Sequence, residues 1–173
     1  MREPHHCTIL AIDPGRTSGW AMFVRGEHVY SGTATTHLDR VELASLAVEA
    51  ARNNGAPLVV VGEIWTPGGK FGGARTMAGV GASWGQWLAA FDAAGIPKAR
   101  VMRVKVQTWR AAVLGWAFGR NTETWHAMAT RRATVAIGRA PADANEADAV
   151  CIGLWATYAS EVARKIPKGR KKA

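Results

Sequence analysis

Two apolar runs that each stop at an acid constrain this chain more than any other feature. Cys7-Thr8-Ile9-Leu10-Ala11-Ile12 leads into Asp13, with Pro14-Gly15 next, and Leu58-Val59-Val60-Val61-Gly62 leads into Glu63. An apolar run without polar alternation, as over 7–13, reads as a strand covered on both faces. A carboxylate at the end of such a strand is stripped of water and needs a compensating partner. A third acid, Asp148, stands in Asn145-Glu146-Ala147-Asp148-Ala149 at the head of an apolar helical stretch. The chain as a whole carries a formal net charge of +9. Clustered acids in so basic a protein point to a divalent cation as the partner, and to metal-dependent phosphodiester chemistry.

The rest of the pattern is mixed α/β. Strands are expected at 7–13, 18–23 and 27–33, the last two joined at Arg25-Gly26 as a hairpin. An amphipathic helix over 39–54 stops at Asn53-Asn54-Gly55, and Pro57 opens the strand that ends at Glu63. A glycine-rich loop over 66–73 precedes a helix over 75–94. A short strand over 101–104 follows, then helices over 105–114, 122–137 and 144–164 and a basic tail over 165–173.

At 173 residues, 48% hydrophobic and 20% charged, the chain has the size and composition of one globular domain. Its positive excess calls for a polyanionic partner, either nucleic acid or an anionic membrane surface. No apolar run approaches the roughly 20 residues needed to span a bilayer. The N-terminus leads straight into a strand, so no signal peptide is expected. Cys7 and Cys151 both lie in apolar segments and read as core thiols of a reducing compartment, so a cytoplasmic protein is expected.

The motifs carry a resemblance over nearly the whole chain. Ile9-Leu10-Ala11-Ile12-Asp13-Pro14-Gly15 with Ser18-Gly19-Trp20-Ala21, then Val60-Val61-Gly62-Glu63, then the stretch from Arg75 to Leu88, resemble RuvC-like Holliday junction resolvases. Val104-Lys105-Val106-Gln107-Thr108-Trp109-Arg110 and Ala147-Asp148-Ala149-Val150-Cys151-Ile152-Gly153 continue it. Trp109-Arg110 and Asn145-Glu146-Ala147-Asp148 look more like phage-encoded members, which places the chain in a bacterium or a phage-infected host. The resemblance implies an RNase H-like fold, a mixed five-stranded sheet flanked by helices, over residues 1–164, with 165–173 as a basic appendage. It also implies a structure-selective endonuclease that nicks branched DNA, four-way junctions above all, in symmetric pairs and leaves 5′-phosphate ends. The partner would be a second copy of the chain, joined through the 75–94 helix, because two opposed strands need two sites.

For the site, the resemblance assigns metal binding to Asp13, Glu63 and Asp148, with two Mg²⁺ ions and Mn²⁺ able to substitute. The fourth ligand is where this sequence departs from the pattern. The family's acid or histidine three residues before the last aspartate is here Asn145, a weaker ligand. Glu146 lies roughly 200° around an ideal helix from Asp148, yet at a helix start it has room to reach. The expected order is Glu146, then Asn145, then Asp143. Lys105 matches a family lysine near the reacting phosphate, where it would offset developing charge. The expected DNA contacts are Arg75, Arg103, Lys105, Arg110 and Arg120, with Lys70 beside Phe71 or Trp65 as the aromatic that wedges into the crossover. Two other readings stay open: an RNase H-type hydrolase of RNA–DNA hybrids, and a branched-DNA-binding protein without turnover.

Overall fold

The computed structural model describes residues 5–64, 74–115 and 124–165, with side chains from 78 onward in the second of these segments. Strands β1 (Thr8–Asp13), β2 (Ser18–Val24) and β3 (Glu27–Ala34) form an antiparallel meander. The β2–β3 hairpin turns at Arg25 and Gly26, both at positive φ, which a tight hairpin of this twist requires. Helix α1 (His37–Asn53) leads to β4 (Leu58–Ile64), and α2 (Ala74–Ala93) leads to β5 (Val101–Lys105). β4 runs parallel to β1, and β5 runs parallel to β4. The sheet is therefore mixed and five-stranded, in the order β3-β2-β1-β4-β5. Helices α3 (Val106–Leu114), α4 (Trp125–Ile137), α5 (Ala144–Tyr158) and α6 (Ser160–Ala163) complete the chain.

Strand alternation divides the core in two. Leu10, Ile12, Leu58 and Val60 face α1 and α2, where they meet Ala44, Ala47, Trp84, Trp87 and Phe91. Ile9, Ala11, Val59 and Val61 face the other way, onto Trp109, Ala133, Ala147, Val150 and Cys151. Burial on both faces is what the unalternating runs demanded. α5 packs across β1 and β2, and Gly19 permits its approach, because a β-carbon there would run into the Asn145 carbonyl.

Two of the boundaries that differ from expectation have distinct physical causes. α1 starts at His37 because Thr36 and Asp39 form a reciprocal capping box: the Asp39 amide donates to Thr36 Oγ1 at 3.1 Å, and the Thr36 amide donates to Asp39 Oδ2 at 2.8 Å. The long helix expected over 144–164 breaks at Ala159, which is extended. There the N-terminal segment takes over the carbonyls. The His5 amide donates to the Thr157 carbonyl at 3.0 Å, and His5 Nε2 lies 2.8 Å from the Ala159 carbonyl. Cys7 and Cys151 are free and buried, and burial pushes their thiols up to about 11 and about 12. Among the described residues no helix is long and apolar enough to cross a membrane.

Candidate active site

The parity that sorts the core also sorts the acids. Asp13 continues the series Ile9, Ala11, and Glu63 continues Val59, Val61, so both side chains fall on the α5 face. Ile12 pairs with Gly62 in the parallel register, which sets Asp13 beside Glu63 at the carboxyl ends of neighbouring strands. Asp148 comes onto the same face from the second turn of α5 and is 4% exposed. Glu63 is 1% exposed. It accepts the Trp109 indole N–H on Oε2 at 2.8 Å, while the Trp84 indole donates to its backbone carbonyl at 2.9 Å.

Among the described residues, Arg110 is a cation that lies with these acids. Arg110 is 6% exposed, with Nη2 3.7 Å from Asp148 Oδ2. Its guanidinium carbon stands 3.3 Å from the centroid of the Trp125 ring and 5.1 Å from that of Trp109, an arrangement in which stacking adds to charge. Burial pulls the Arg110 pKa down, against the opposing pull of Glu63, Asp148 and Asp13.

Among the described residues the acids outweigh Arg110 in charge. Burial, and then the neighbouring Glu63 and Asp148 carboxylates, raise Asp13 well above the usual carboxylate range; Arg110 opposes this and Asp143 adds to it. Asp148 is raised by burial and by Glu63, again against Arg110. Its Oδ1 is buried and has no hydrogen-bond partner among the described residues. Under-neutralised carboxylates and an orphaned carboxylate oxygen are the donor chemistry that a hard divalent cation takes. As the described side chains stand, no three of His, Cys, Asp and Glu close around a single point. Coordination therefore requires them to draw together.

Glu146 is not brought to this cluster. It is fully buried, and its carboxylate is held by Arg139, the Ser31 hydroxyl and the Ala142 amide. Burial pushes its pKa up, but Arg139, Ala142 and Ser31 together take it below the usual value. The expected first choice for a fourth ligand is thus corrected by helix geometry. The step of two residues from Asp148 carries Glu146 to the far side, towards β3, and the helix start does not undo it. Asp143 is the N-cap of α5: its Oδ1 accepts the Glu146 backbone N–H at 2.9 Å and its Oδ2 accepts from Asn145 Nδ2 at 3.4 Å. Its charge is nonetheless felt at Asp13.

The other expected residues scatter. Arg110 is buried beside the acids instead of lying on a DNA-facing surface. Arg103 is exposed, with its guanidinium 4.9 Å from the Trp84 ring centroid. Lys105 is exposed at the end of β5 and out of phase with Val104, the residue paired with Glu63. Strand alternation therefore directs it away from the acids. Trp65, Lys70, Phe71 and Arg120 lie outside the described residues, as does the side chain of Arg75. In α2 the tryptophans Trp84 and Trp87 are buried in the chain's own core, and the face left open is the small one, Ala78, Gly79, Gly81, Ala82 and Gly85. The sequence offered no sign of Trp125 over Arg110, nor of Arg139 with Ser31 around Glu146, because these pairs meet only through tertiary packing.

A mixed five-stranded sheet in this order, with helices on both faces, is the RNase H-like fold. Within it the chain has the RuvC fold. The structure of Thermus thermophilus RuvC in complex with a Holliday junction substrate superposes with a TM-score of 0.67 at 18% identity, over 93% of this chain and 98% of that one. Another Thermus thermophilus RuvC structure gives 0.59 at 20% identity, over 90% and 96%. No protein-family model and no curated protein matches the sequence.

Proposed function

We propose that the chain is a divalent-metal-dependent endonuclease acting on branched DNA, with four-way junctions as its main substrate. The observation that carries this reading is the convergence of Asp13, Glu63 and Asp148 on one face, with more negative charge than Arg110 offsets. The RuvC fold and the charge of +9 support a nucleic-acid substrate.

Asp13, Glu63 and Asp148 would hold the cation, which when bound supplies neutralisation of the attacked phosphate and the leaving oxygen. In the hydrolysis a water oxygen bonds to phosphorus, the bond to the 3′ oxygen breaks, and that oxygen takes up a proton. The products are a 5′-phosphate and a 3′-hydroxyl. The apolar packing beneath the acids (Ala11, Val61, Ala147) keeps bulk water from the buried side of the site. Arg103 and Lys105, both exposed next to β4, would meet backbone phosphates, which gives affinity without sequence information. A second copy of the chain, docked through the small-residue face of α2, would present a second site to the opposite strand.

Asp13→Asn tests the assignment. Junction cleavage should be lost while junction binding by gel shift stays within about threefold of the native protein, since the variant removes one charge and little volume. Unchanged cleavage would exclude the acidic cluster as the active site.

A further inference from the structure

We infer that the turn after Asp13 is a DNA-phosphate contact, with Arg16 as the contacting side chain and the buried Arg40 as the residue that positions it. This rests on the branched-DNA nuclease reading above and adds a contact to it. Arg16 is exposed and stands three residues beyond Asp13, in the loop that joins β1 to β2. Three residues span at most about 11 Å, so a phosphate held at Asp13 has its neighbours on the same strand within reach of this side chain.

Arg40 is the unusual member. It is 1% exposed near the start of α1, yet among the described residues no carboxylate bonds its guanidinium. Burial pulls its pKa down, against a weaker pull from Asp39, whose Oδ2 is engaged by the Thr35 and Thr36 amides. Its partners are neutral. Nη1 donates to Gln86 Oε1 at 2.6 Å, and Nη2 donates to the Arg16 carbonyl at 3.4 Å and to Ser18 Oγ at 3.3 Å. Its Nε has no partner among the described residues. A cation taken out of water without an anion is a costly placement, and what this one secures is the turn.

The turn is tied down on both sides of Arg16. Ser18 Oγ donates to the Gly15 carbonyl at 3.0 Å and accepts the Trp87 indole N–H at 3.1 Å, while Arg40 holds the Arg16 carbonyl. The peptide groups before and after the Arg16 α-carbon are therefore both bonded to buried side chains, and the Arg16 side chain is left in solvent. Gly15 closes the turn tightly, since a β-carbon there would lie 2.9 Å from the Thr17 carbonyl oxygen. A cation on an anchored backbone loses less conformational freedom on meeting a phosphate than one on a loose loop. Arg40 is thus a positioning residue that acts through Arg16.

The test is a gel shift of a labelled four-way junction by the full-length protein in EDTA, at several salt concentrations. Arg16→Ala should weaken binding by a factor of about three to ten and lower the slope of log affinity against log salt by about one, as loss of one phosphate contact requires. Arg16→Lys keeps a point charge for the phosphate and should bind within about twofold of native. Arg40→Lys keeps a charge but cannot fork to three acceptors, so it should weaken binding in the same way and add nothing to Arg16→Ala in the double variant. Should Arg40→Lys fail to fold, Gln86→Met, which removes one exposed acceptor of Arg40, takes its place in the cycle. Native affinity and slope in Arg16→Ala would overturn the inference and leave the nuclease reading intact. So would an Arg40→Lys protein that is less stable but binds as the native does, or losses that add in the double variant. A native protein that binds no junction would overturn both.

Discussion

Trp109 Nε1 donates to Glu63 Oε2 at 2.8 Å, a hydrogen bond between two buried side chains from different elements. The donor comes from the first turn of α3 and the acceptor from the end of β4, so the bond ties the helix after β5 to the acid beside it in the sheet. A hydrogen bond to a carboxylate in a dry site is stronger than a neutral one, because the charge has no water to fall back on. The next residue on the same turn, Arg110, turns about 100° around the helix and faces Asp148. One short helix thus serves two of the three acids.

Trp109→Phe keeps most of the ring volume and deletes the donor. Loss of a hydrogen bond to a charged, buried acceptor, with a small cavity added, should cost about 2 kcal/mol. A urea titration should show a lower midpoint at unchanged slope. Stability equal to the native protein's would mean that Glu63 does not depend on the indole.

The metal-free protein should become less stable as pH rises above the ordinary carboxylate range. Asp13 and Asp148 hold their protons more tightly folded than unfolded. Unfolded carboxylates ionise near pH 4. From there up to the raised native values the folded state binds more protons, so stability falls with increasing pH. Glu146 acts in the opposite sense, but its pKa is lowered, so its contribution is complete above the ordinary carboxylate range and is lost only in more acid solution. Melting temperatures in EDTA should therefore fall across this interval, and Asp13→Asn should flatten the fall. A melting temperature that rises with pH would contradict the charge deficit at the site.

Glu146→Ala separates the two sides of α5. Removing a fully buried, ion-paired carboxylate should destabilise the chain by about 3 kcal/mol, read from the urea midpoint. Mn²⁺ affinity should remain within about threefold of native, because the group is held on the β3 side. Asp148→Asn should do the reverse, with little loss of stability and a weakening of Mn²⁺ on the order of tenfold or more, as expected for a lost anionic ligand. A collapse of Mn²⁺ affinity in a folded Glu146→Ala protein would return Glu146 to the site.

What the sequence made legible follows from periodicity. The unalternating runs ending at Asp13 and Glu63 already contained the two-sided core, and the shared parity of 9, 11, 13 and 59, 61, 63 already contained the common face. The capping box at Thr36 and Asp39 was legible in principle, since both its residues are local. The break at Ala159 was not, because it is enforced by His5, more than 150 residues away in sequence. Arg110 illustrates the same divide. Its membership in a Trp-Arg pair was plain, but whether the guanidinium faced solvent or three carboxylates depended on where β4 and α5 placed their acids. Glu146 was misassigned by allowing the helix start a freedom that the Asp143 cap removes.

The most direct measurement of the central claim is cleavage of an end-labelled four-way junction beside a linear duplex of the same sequence, with Mg²⁺, Mn²⁺ or EDTA. The account predicts paired, symmetric nicks in the junction alone, present with either metal and absent in EDTA, with 5′-phosphate ends. Cleavage that persists in EDTA, or equal attack on the linear duplex, would contradict it.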